Sequence, residues 1–436
     1  MKRVSHSIFL TAALALTACV FFGCVRQQAG RGEGIPSASP TEGLAPADSK
    51  TPASQPVVNV YLENSGSMYG YVDRNQKSMF QQSVYNYLVD VQSSGIPSSF
   101  NLHFINNQII PKGNDVNAFI NGITANDFRN TRGDGTHTDI AEMLKMILDN
   151  TSNDTVSIFI SDCILSPGRV NQPEAYLTGQ MVSIKKCLSA FIDKAPNTMV
   201  MVYQVNSPFN GKYYDYEDNP RQYEGNRPYY IIVIGSTPNL YNLKLHTKSE
   251  NFIPRVNNYW GIFNYPVDKY SPMNYALMMA PKKGSFNRKN PKTMSNVRTD
   301  ADGQFQFTIA ADMTIYQHLL EDNYLYEVDN YARLVNKTDS KEFTMSVSAN
   351  QIATSPMTLD YQITTNQRLS DGVFSLVLLR DTPEWAETMT DLDDRNFDNG
   401  NEMKTYGLRY IFDGIKQAYS AKIGDTYTSI DITVTK

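Results

Sequence analysis

The chain has 436 residues, of which 41% are hydrophobic, and it carries 39 Lys and Arg side chains against 44 Asp and Glu. This length exceeds what one hydrophobic core usually organises, so the sequence predicts at least two domains. The formal charge of −5 argues against a nucleic-acid partner, because such proteins usually present a strongly basic face.

The N-terminus has the pattern of a secretory leader. A basic pair, Lys2 and Arg3, precedes the apolar run 8–18, which is too short for a comfortable membrane span. The run ends in Leu-Thr-Ala followed by Cys19, which resembles the bacterial lipobox, whose cysteine becomes lipidated. Cys24 is the alternative anchor, and an ordinary leader with incidental cysteines is the competing interpretation.

The leader pattern predicts a signal peptide over residues 1–18 and a lipid-anchored protein of the cell envelope, expected in the outer membrane. The sequence does not indicate whether the protein faces the periplasm or the cell surface. Residues 19–55 are rich in Gly, Pro, Ser and Ala with almost nothing apolar, a composition that predicts a flexible linker. Cys163 and Cys187 could pair in an oxidising compartment or stay as buried thiols, and the sequence leaves both open.

Buried strands and amphipathic helices alternate through the next part of the chain. In order, the segments are strand Val57–Leu62, helix Lys77–Ser94, strand Phe100–Ile105, helix Ile140–Leu148, strand Val156–Ile160, helix Ala175–Ile192, and strands Met199–Val205 and Tyr229–Ile234. This alternation predicts a doubly wound α/β domain over residues 56–245, with a mainly parallel sheet covered on both faces. A Tyr-rich insertion, residues 207–228, is expected to be either a recognition surface or a lid.

Residues 246–436 have a different pattern, and we expect one or more mainly β domains there. Polar turn residues separate the strand-like segments Gln304–Ile309, Phe343–Val347, Met357–Ile363, Val373–Leu379 and Ser429–Val434. Two helical segments, 313–320 and 406–419, interrupt them, and the stretch 247–302 fits no element. The spacing favours a sandwich-like arrangement of strands.

Oxygen-bearing side chains follow the ends of the predicted parallel strands. Glu63, Ser65 and Ser67 come directly after the first strand, Thr136 lies in a Gly-rich loop before a helix, and Asp162 follows the strand 156–160. Ligands of open α/β sheets bind at the carboxyl edge of the strands, where these loops meet. Hydroxyl and carboxylate oxygens without converging His or Cys favour a hard cation over zinc.

This order resembles the von Willebrand factor A family, whose metal-ion-dependent adhesion site has an Asp-x-Ser-x-Ser motif, then a Thr, then an Asp. The resemblance covers about residues 57–245. It implies a metal site for Mg²⁺, with Mn²⁺ or Ca²⁺ as alternatives, whose ligands would be Glu63, Ser65, Ser67, Thr136 and Asp162, with Thr138 in place of Thr136 if the register slips. Glu63 departs from the family, which has Asp there, and its extra methylene alters the reach of the carboxylate.

The resemblance implies binding rather than catalysis. An acidic side chain of a protein partner would complete the coordination of the metal, and the oligomeric state stays open. Two alternatives remain: an envelope enzyme with a catalytic centre in the C-terminal half, or a metal-free structural scaffold. Taken singly, each of the five ligand candidates could also be an ordinary cap or turn residue.

Two further groups of residues carry weaker signals. An acidic loop could bind Ca²⁺, although its Gly is out of register for an EF-hand and a solvated turn explains it as well; its members are Asp391, Asp393, Asp394, Asp398 and Glu402. His137 could act as a base for Ser65 in a hydrolase, but no Gly precedes Ser65 at the spacing of a nucleophile elbow.

Overall fold

The computed structural model describes residues 55–72, 78–131, 139–247, 252–265, 274–335, 338–339 and 342–436. The predicted signal peptide, both candidate lipid anchors and nearly all of the predicted linker lie outside these residues. The loop of Thr136, His137 and Thr138 lies outside them as well. In the described part of the chain, no helix has both the length and the apolar composition that crossing a bilayer requires.

Seven strands form a central sheet, called sheet A. They are β1 (Val57–Glu63), β2 (Ser99–Ile105), β3 (Ile109–Pro111), β4 (Thr155–Ser161), β5 (Thr198–Tyr214), β6 (Pro220–Ser236) and β7 (Val256–Phe263). Their order is β3-β2-β1-β4-β6-β5-β7, and β1 pairs in parallel with both β2 and β4. Because β6 is antiparallel to β4 and to β5, strand β5 also runs in the direction of β1. Most strands of the sheet therefore share one direction, and the predicted α/β class is confirmed.

Helices cover both faces of sheet A. Their bounds, with those of the later helices, are α1 (Met79–Ser93), α2 (Val116–Asn121), α3 (Ala125–Asn130), α4 (Ile140–Asp149), α5 (Pro173–Lys194), α6 (Thr237–His246), α7 (Thr314–Leu319), α8 (Glu384–Thr388) and α9 (Leu408–Lys422). Side chains of α1 pack with Val60 and Ile158 on one face, whereas α4 and α5 pack with Tyr61 and Phe159 on the other. Every residue of β4 is buried, as its continuous apolar pattern predicts.

The Tyr-rich insertion is part of the sheet. Strands β5 and β6 continue past the predicted strand ends as one long hairpin, paired from Thr198↔Ser236 to Tyr214↔Pro220. The hairpin closes through Asp215, whose carboxylate accepts the backbone N–H groups of Glu217 and Asn219. The sequence predicted shorter strands because Asn, Gly and Pro interrupt the apolar run, whereas cross-strand pairing within the hairpin tolerates these residues.

Two smaller sheets make up most of the C-terminal half. Their strands are β8 (Tyr275–Lys283), β9 (Ser285–Asn290), β10 (Thr293–Arg298), β11 (Phe305–Ala311), β12 (Tyr331–Val335), β13 (Thr338–Asp339), β14 (Phe343–Ala349), β15 (Leu359–Thr365), β16 (Gly372–Leu379) and β19 (Thr426–Thr435); a separate short pair is β17 (Thr390–Asp391) and β18 (Thr405–Tyr406). Sheet B has the order β14-β15-β11-β8, and sheet C the order β13-β12-β16-β19-β10-β9. The rings of Phe307 in sheet B and Phe374 in sheet C lie 5.3 Å apart, so these sheets pack together. The mainly β character predicted for this half is confirmed.

Sheet A does not end at residue 245, the predicted domain boundary. Strand β7 lies beyond that residue and pairs with β5 as the edge strand. Helix α9 packs on the same face as α5, where the Tyr419 hydroxyl donates to the carbonyl of Thr198 over 3.0 Å. The C-terminal half thus contributes both an edge strand and a covering helix to the first sheet.

Candidate functional site

Ser65, Ser67 and Asp162 come together at the carboxyl ends of β1 and β4. The two strands are adjacent and parallel, with Leu62 opposite Ile160, so the loops that follow them start side by side. The Ser65 and Ser67 hydroxyl oxygens are 2.9 Å apart, and Ser67 hydrogen-bonds the Asp162 carboxylate. We call these three residues the oxygen cluster.

The loop after β1 is held by backbone hydrogen bonds that aim its serines at Asp162. The N–H of Asn64 donates to the carbonyl of Ile105 over 3.2 Å, which continues the β1–β2 ladder by one residue. The chain then turns into a 3₁₀ helix, Ser67–Tyr71, in which the N–H of Met68 donates to the carbonyl of Ser65. The hydroxyls therefore sit on an ordered turn.

Asp162 is the charged member of the oxygen cluster and is only 2% exposed. Burial raises the pKa of its carboxyl above the usual range, while hydrogen bonds from Ser67 and the Ile164 N–H, together with the positive charge of Arg227, oppose that rise. The next residue, Cys163, has φ +57°, a left-handed conformation that is costly for a residue with a side chain. The chain accepts this local strain directly beside Asp162.

Glu63, which stands where the von Willebrand factor A motif has Asp, is bonded to β4. Its carboxylate accepts a hydrogen bond from the hydroxyl of Ser161, and that hydroxyl in turn accepts the N–H of Cys163 over 2.8 Å. Glu63 is buried and thus ties the ends of β1 and β4 together. Of the five predicted ligands, three meet in the oxygen cluster, Glu63 is bonded to Ser161 beside it, and Thr136 lies outside the described residues.

Arg227 is a functional candidate that the sequence did not single out. The residue is 1% exposed, and Nη1 donates to the carbonyls of Glu402 over 2.7 Å and Lys404 over 3.1 Å. The guanidinium carbon lies 4.5 Å from the centre of the Tyr213 ring. Its charge attracts Asp162. Burying an arginine is costly without such partners, so its position depends on groups far away in the sequence.

The β5–β6 hairpin packs on the turn that carries Ser67. A Cβ atom on Gly211 would lie 2.6 Å from the Cα of Gly70, which is too close, so the two backbones need glycine to meet. The Tyr71 hydroxyl donates to the carbonyl of Pro228 at 2.5 Å, and its ring meets Phe209 edge-on. Within the oxygen cluster, Ser65 and Asp162 are buried and Ser67 is half-buried, so solvent reaches the cluster at Ser67.

The acidic loop packs under the same hairpin. The Asp394 carboxylate accepts the hydroxyl of Tyr213 and the N–H of Tyr216, and burial raises its pKa to about 6. Asp393 pairs with Arg395 at 2.6 Å. Among the described residues, no group of three or more His, Cys, Asp or Glu side chains is arranged to hold a metal ion. The loop serves here to fasten the hairpin.

The tyrosines of the hairpin divide into two groups. Tyr213, Tyr229 and Tyr230 are at most 1% exposed, whereas Tyr214, Tyr216 and Tyr223 are half-buried, so the hairpin carries both packed and solvent-accessible tyrosines. Cys163 and Cys187 are both free thiols. Burial raises the pKa of both, to about 11 for Cys187, so neither is a reactive thiolate at neutral pH.

Comparison with known proteins adds no family to this description. A scan against protein-family models finds no match, and neither a search of curated proteins nor one of solved structures returns one.

Proposed function

We propose that this chain is a lipid-anchored envelope protein that binds a protein partner at the oxygen cluster with the help of Mg²⁺, as the resemblance to von Willebrand factor A domains implies. The observation that carries the proposal is the convergence of Ser65, Ser67 and Asp162 from two separate loops onto one point. Two hydroxyls and a carboxylate are donors that suit a hard cation. Binding, rather than turnover, is the activity proposed.

The residues present supply oxygen donors that suit a cation. Ser65, Ser67 and Asp162 would hold Mg²⁺, and the ion would supply a Lewis-acidic position for a carboxylate of the partner. Arg227 adds a buried positive charge that already offsets part of the Asp162 charge. The charge of Arg227 weakens the hold on a cation and favours an acidic group on the incoming partner.

A second candidate, the metal-free scaffold, is favoured by the same arginine. Arg227 is a buried positive charge that attracts Asp162, so the protein itself supplies a cation that offsets this carboxylate. Under this alternative, Glu63 and Asp162 serve to join β1 and β4. The two candidates differ in whether divalent cations stabilise the protein.

Thermal unfolding in increasing Mg²⁺ separates them. A ligand that binds only the folded state adds stability, about 3 kcal/mol at a hundredfold excess over its Kd, so we expect the unfolding midpoint to rise and saturate. Asp162→Asn should abolish the rise. Asp360→Asn is the matched control. The carboxylate of Asp360 lies in sheet B, where it accepts a hydrogen bond from Asn350, and it is not part of the oxygen cluster, so this variant should keep the rise in the midpoint.

Glu63→Asp, which restores the family's shorter carboxylate, should increase the rise. An unfolding midpoint that does not change with Mg²⁺ or Mn²⁺, in both the natural chain and Glu63→Asp, would contradict the metal site and favour the metal-free scaffold. Capture of envelope proteins by the natural chain, but not by Ser67→Ala, and its loss with EDTA would then identify the partner as metal-dependent.

A further inference from the structure

A strongly basic segment stands apart from the oxygen cluster. Residues 281–298, called the basic ribbon, contain six cationic side chains and no Asp or Glu, in a chain whose formal charge is −5. All six are exposed: Lys282, Lys283, Arg288, Lys289, Lys292 and Arg298. The rest of the chain therefore carries −11, because −5 minus +6 is −11.

The fold brings these cations onto one narrow ribbon. Strands β9 and β10 pair as a hairpin, with Arg288 opposite Met294, and β9 is the edge strand of sheet C. Gly284, with φ +70°, reverses the chain from β8 into β9, and a Cβ there would lie 2.2 Å from the carbonyl oxygen of Arg298. The reversal places Lys283 and Arg298 at the same end of the ribbon.

No carboxylate pairs with any of the six cations among the residues that the structure describes. Their contacts are with neutral groups: Lys283 donates to Gln304 over 2.6 Å, and Lys289 to Thr435 over 3.2 Å. The Lys292 ammonium lies 3.9 Å from the centre of the Tyr275 ring. The positive charge of the ribbon is therefore available to an anionic partner.

Protection of an exposed sheet edge explains part of this charge. Lysine on an edge strand prevents pairing with another chain, and Arg288 and Lys289 on β9 suit that role. Lys282 and Lys283 end β8, the edge strand of sheet B, and suit the same role, whereas Lys292 in the turn before β10 and Arg298 on the interior strand β10 do not lie on a free edge. The presence of these last two cations requires another explanation.

We propose that the basic ribbon binds the phosphate headgroups of an anionic lipid bilayer. Two six-residue strands span about 20 Å, so the cations are spread over a length that matches an array of headgroups better than one small anion. A flexible chain as long as the predicted linker 19–55 has a root-mean-square end-to-end distance of about 35 Å, so the lipid anchor proposed at Cys19 would hold the folded part near a membrane. The rest of the protein is negatively charged and is repelled by an anionic membrane, so the protein would approach the membrane with the basic ribbon first.

Vesicle binding tests the proposal. The chain from residue 25 onward, which keeps all of the buried core described, is mixed at low ionic strength with phosphatidylcholine vesicles that contain phosphatidylglycerol, and with pure phosphatidylcholine vesicles. We expect binding to the anionic vesicles alone, weakened by added salt. The triple variant Lys282→Gln, Lys289→Gln, Lys292→Gln should bind roughly a hundredfold more weakly, since each cation near the surface contributes about 1 kcal/mol.

The matched control removes the same charge elsewhere. Lys186, Lys194 and Lys212 are also exposed, and their triple Gln variant should bind as the unaltered chain does. Equal losses in both triples would show that only net charge matters and would overturn the proposal. Equal binding to neutral vesicles would overturn it too, as would stronger binding to duplex DNA than to anionic vesicles at equal phosphate concentration.

Discussion

Deleting every residue after Leu245 should leave a chain that no longer unfolds cooperatively. The deletion removes β7, the edge strand that pairs with β5, and α9, which packs with α5 on one face of sheet A. The sequence alone predicts the opposite result, because the strands and helices of the predicted α/β domain all end before this residue.

The buried side chains lost in the deletion explain the size of the effect. Trp260 of β7 is 1% exposed and its ring lies 4.9 Å from that of Phe412 in α9. Leu408, Ile411 and Ile415 of α9 belong to the same cluster as residues of β1 and β4. Each large apolar side chain contributes about 1.5–3 kcal/mol when buried, so these five together contribute about 8–15 kcal/mol, which is comparable to the total stability of an ordinary domain, about 5–15 kcal/mol.

Urea unfolding followed by near-ultraviolet circular dichroism measures this. We expect residues 25–245 to show no sharp transition, whereas the chain 25–436 shows one. Trp260→Ala in the longer chain is the control, with a loss of about 3–5 kcal/mol but an intact cooperative transition. A sharp transition and native dichroism for residues 25–245 would instead establish that the sheet folds without the C-terminal half.

Arg227→Met should lower the free energy of unfolding by about 3–5 kcal/mol, the usual cost of removing one partner of a buried charged pair. Methionine retains much of the apolar stem but removes every donor, so the carbonyls of Glu402 and Lys404 lose their bonds to Nη1. Asp162 also loses the positive charge that lowers its pKa. Without Arg227, the β5–β6 hairpin is no longer fastened to residues 402–404.

Chemical denaturation of matched variants checks this value. Arg221→Met lies on the same hairpin, but its ion pair with Asp398, at 3.7 Å, is solvent-exposed, so we expect a change below about 1 kcal/mol. The double variant Asp162→Asn, Arg227→Met should lose less free energy of unfolding than the sum of the two single variants. The reason is that Asp162→Asn removes the carboxylate that Arg227→Met alone leaves buried without its partner. Strict additivity of the two changes would show that Arg227 and Asp162 do not interact.

The sequence by itself determined the parts of the protein that local patterns encode. Apolar runs predict β1 and β4 as buried strands of a covered sheet, and each run stops where polar residues begin. Because neighbouring parallel strands end at the same edge, Ser65, Ser67 and Asp162 could be assigned to one point without coordinates. The mainly β C-terminal half followed from the same kind of pattern.

Only the tertiary structure decided what surrounds that point. Arg227 bonds carbonyls that lie 175 and 177 residues further along, and no local pattern distinguishes such an arginine from an exposed one. The placement of β6 between β4 and β5, and of β7 and α9 on sheet A, likewise depends on long-range pairing and burial. The cations of the basic ribbon are spread over residues 281–298, and only the pairing of β9 with β10 brings them together. Periodicity reports which face of an element is apolar, whereas the partner of that face is chosen by packing across the whole chain.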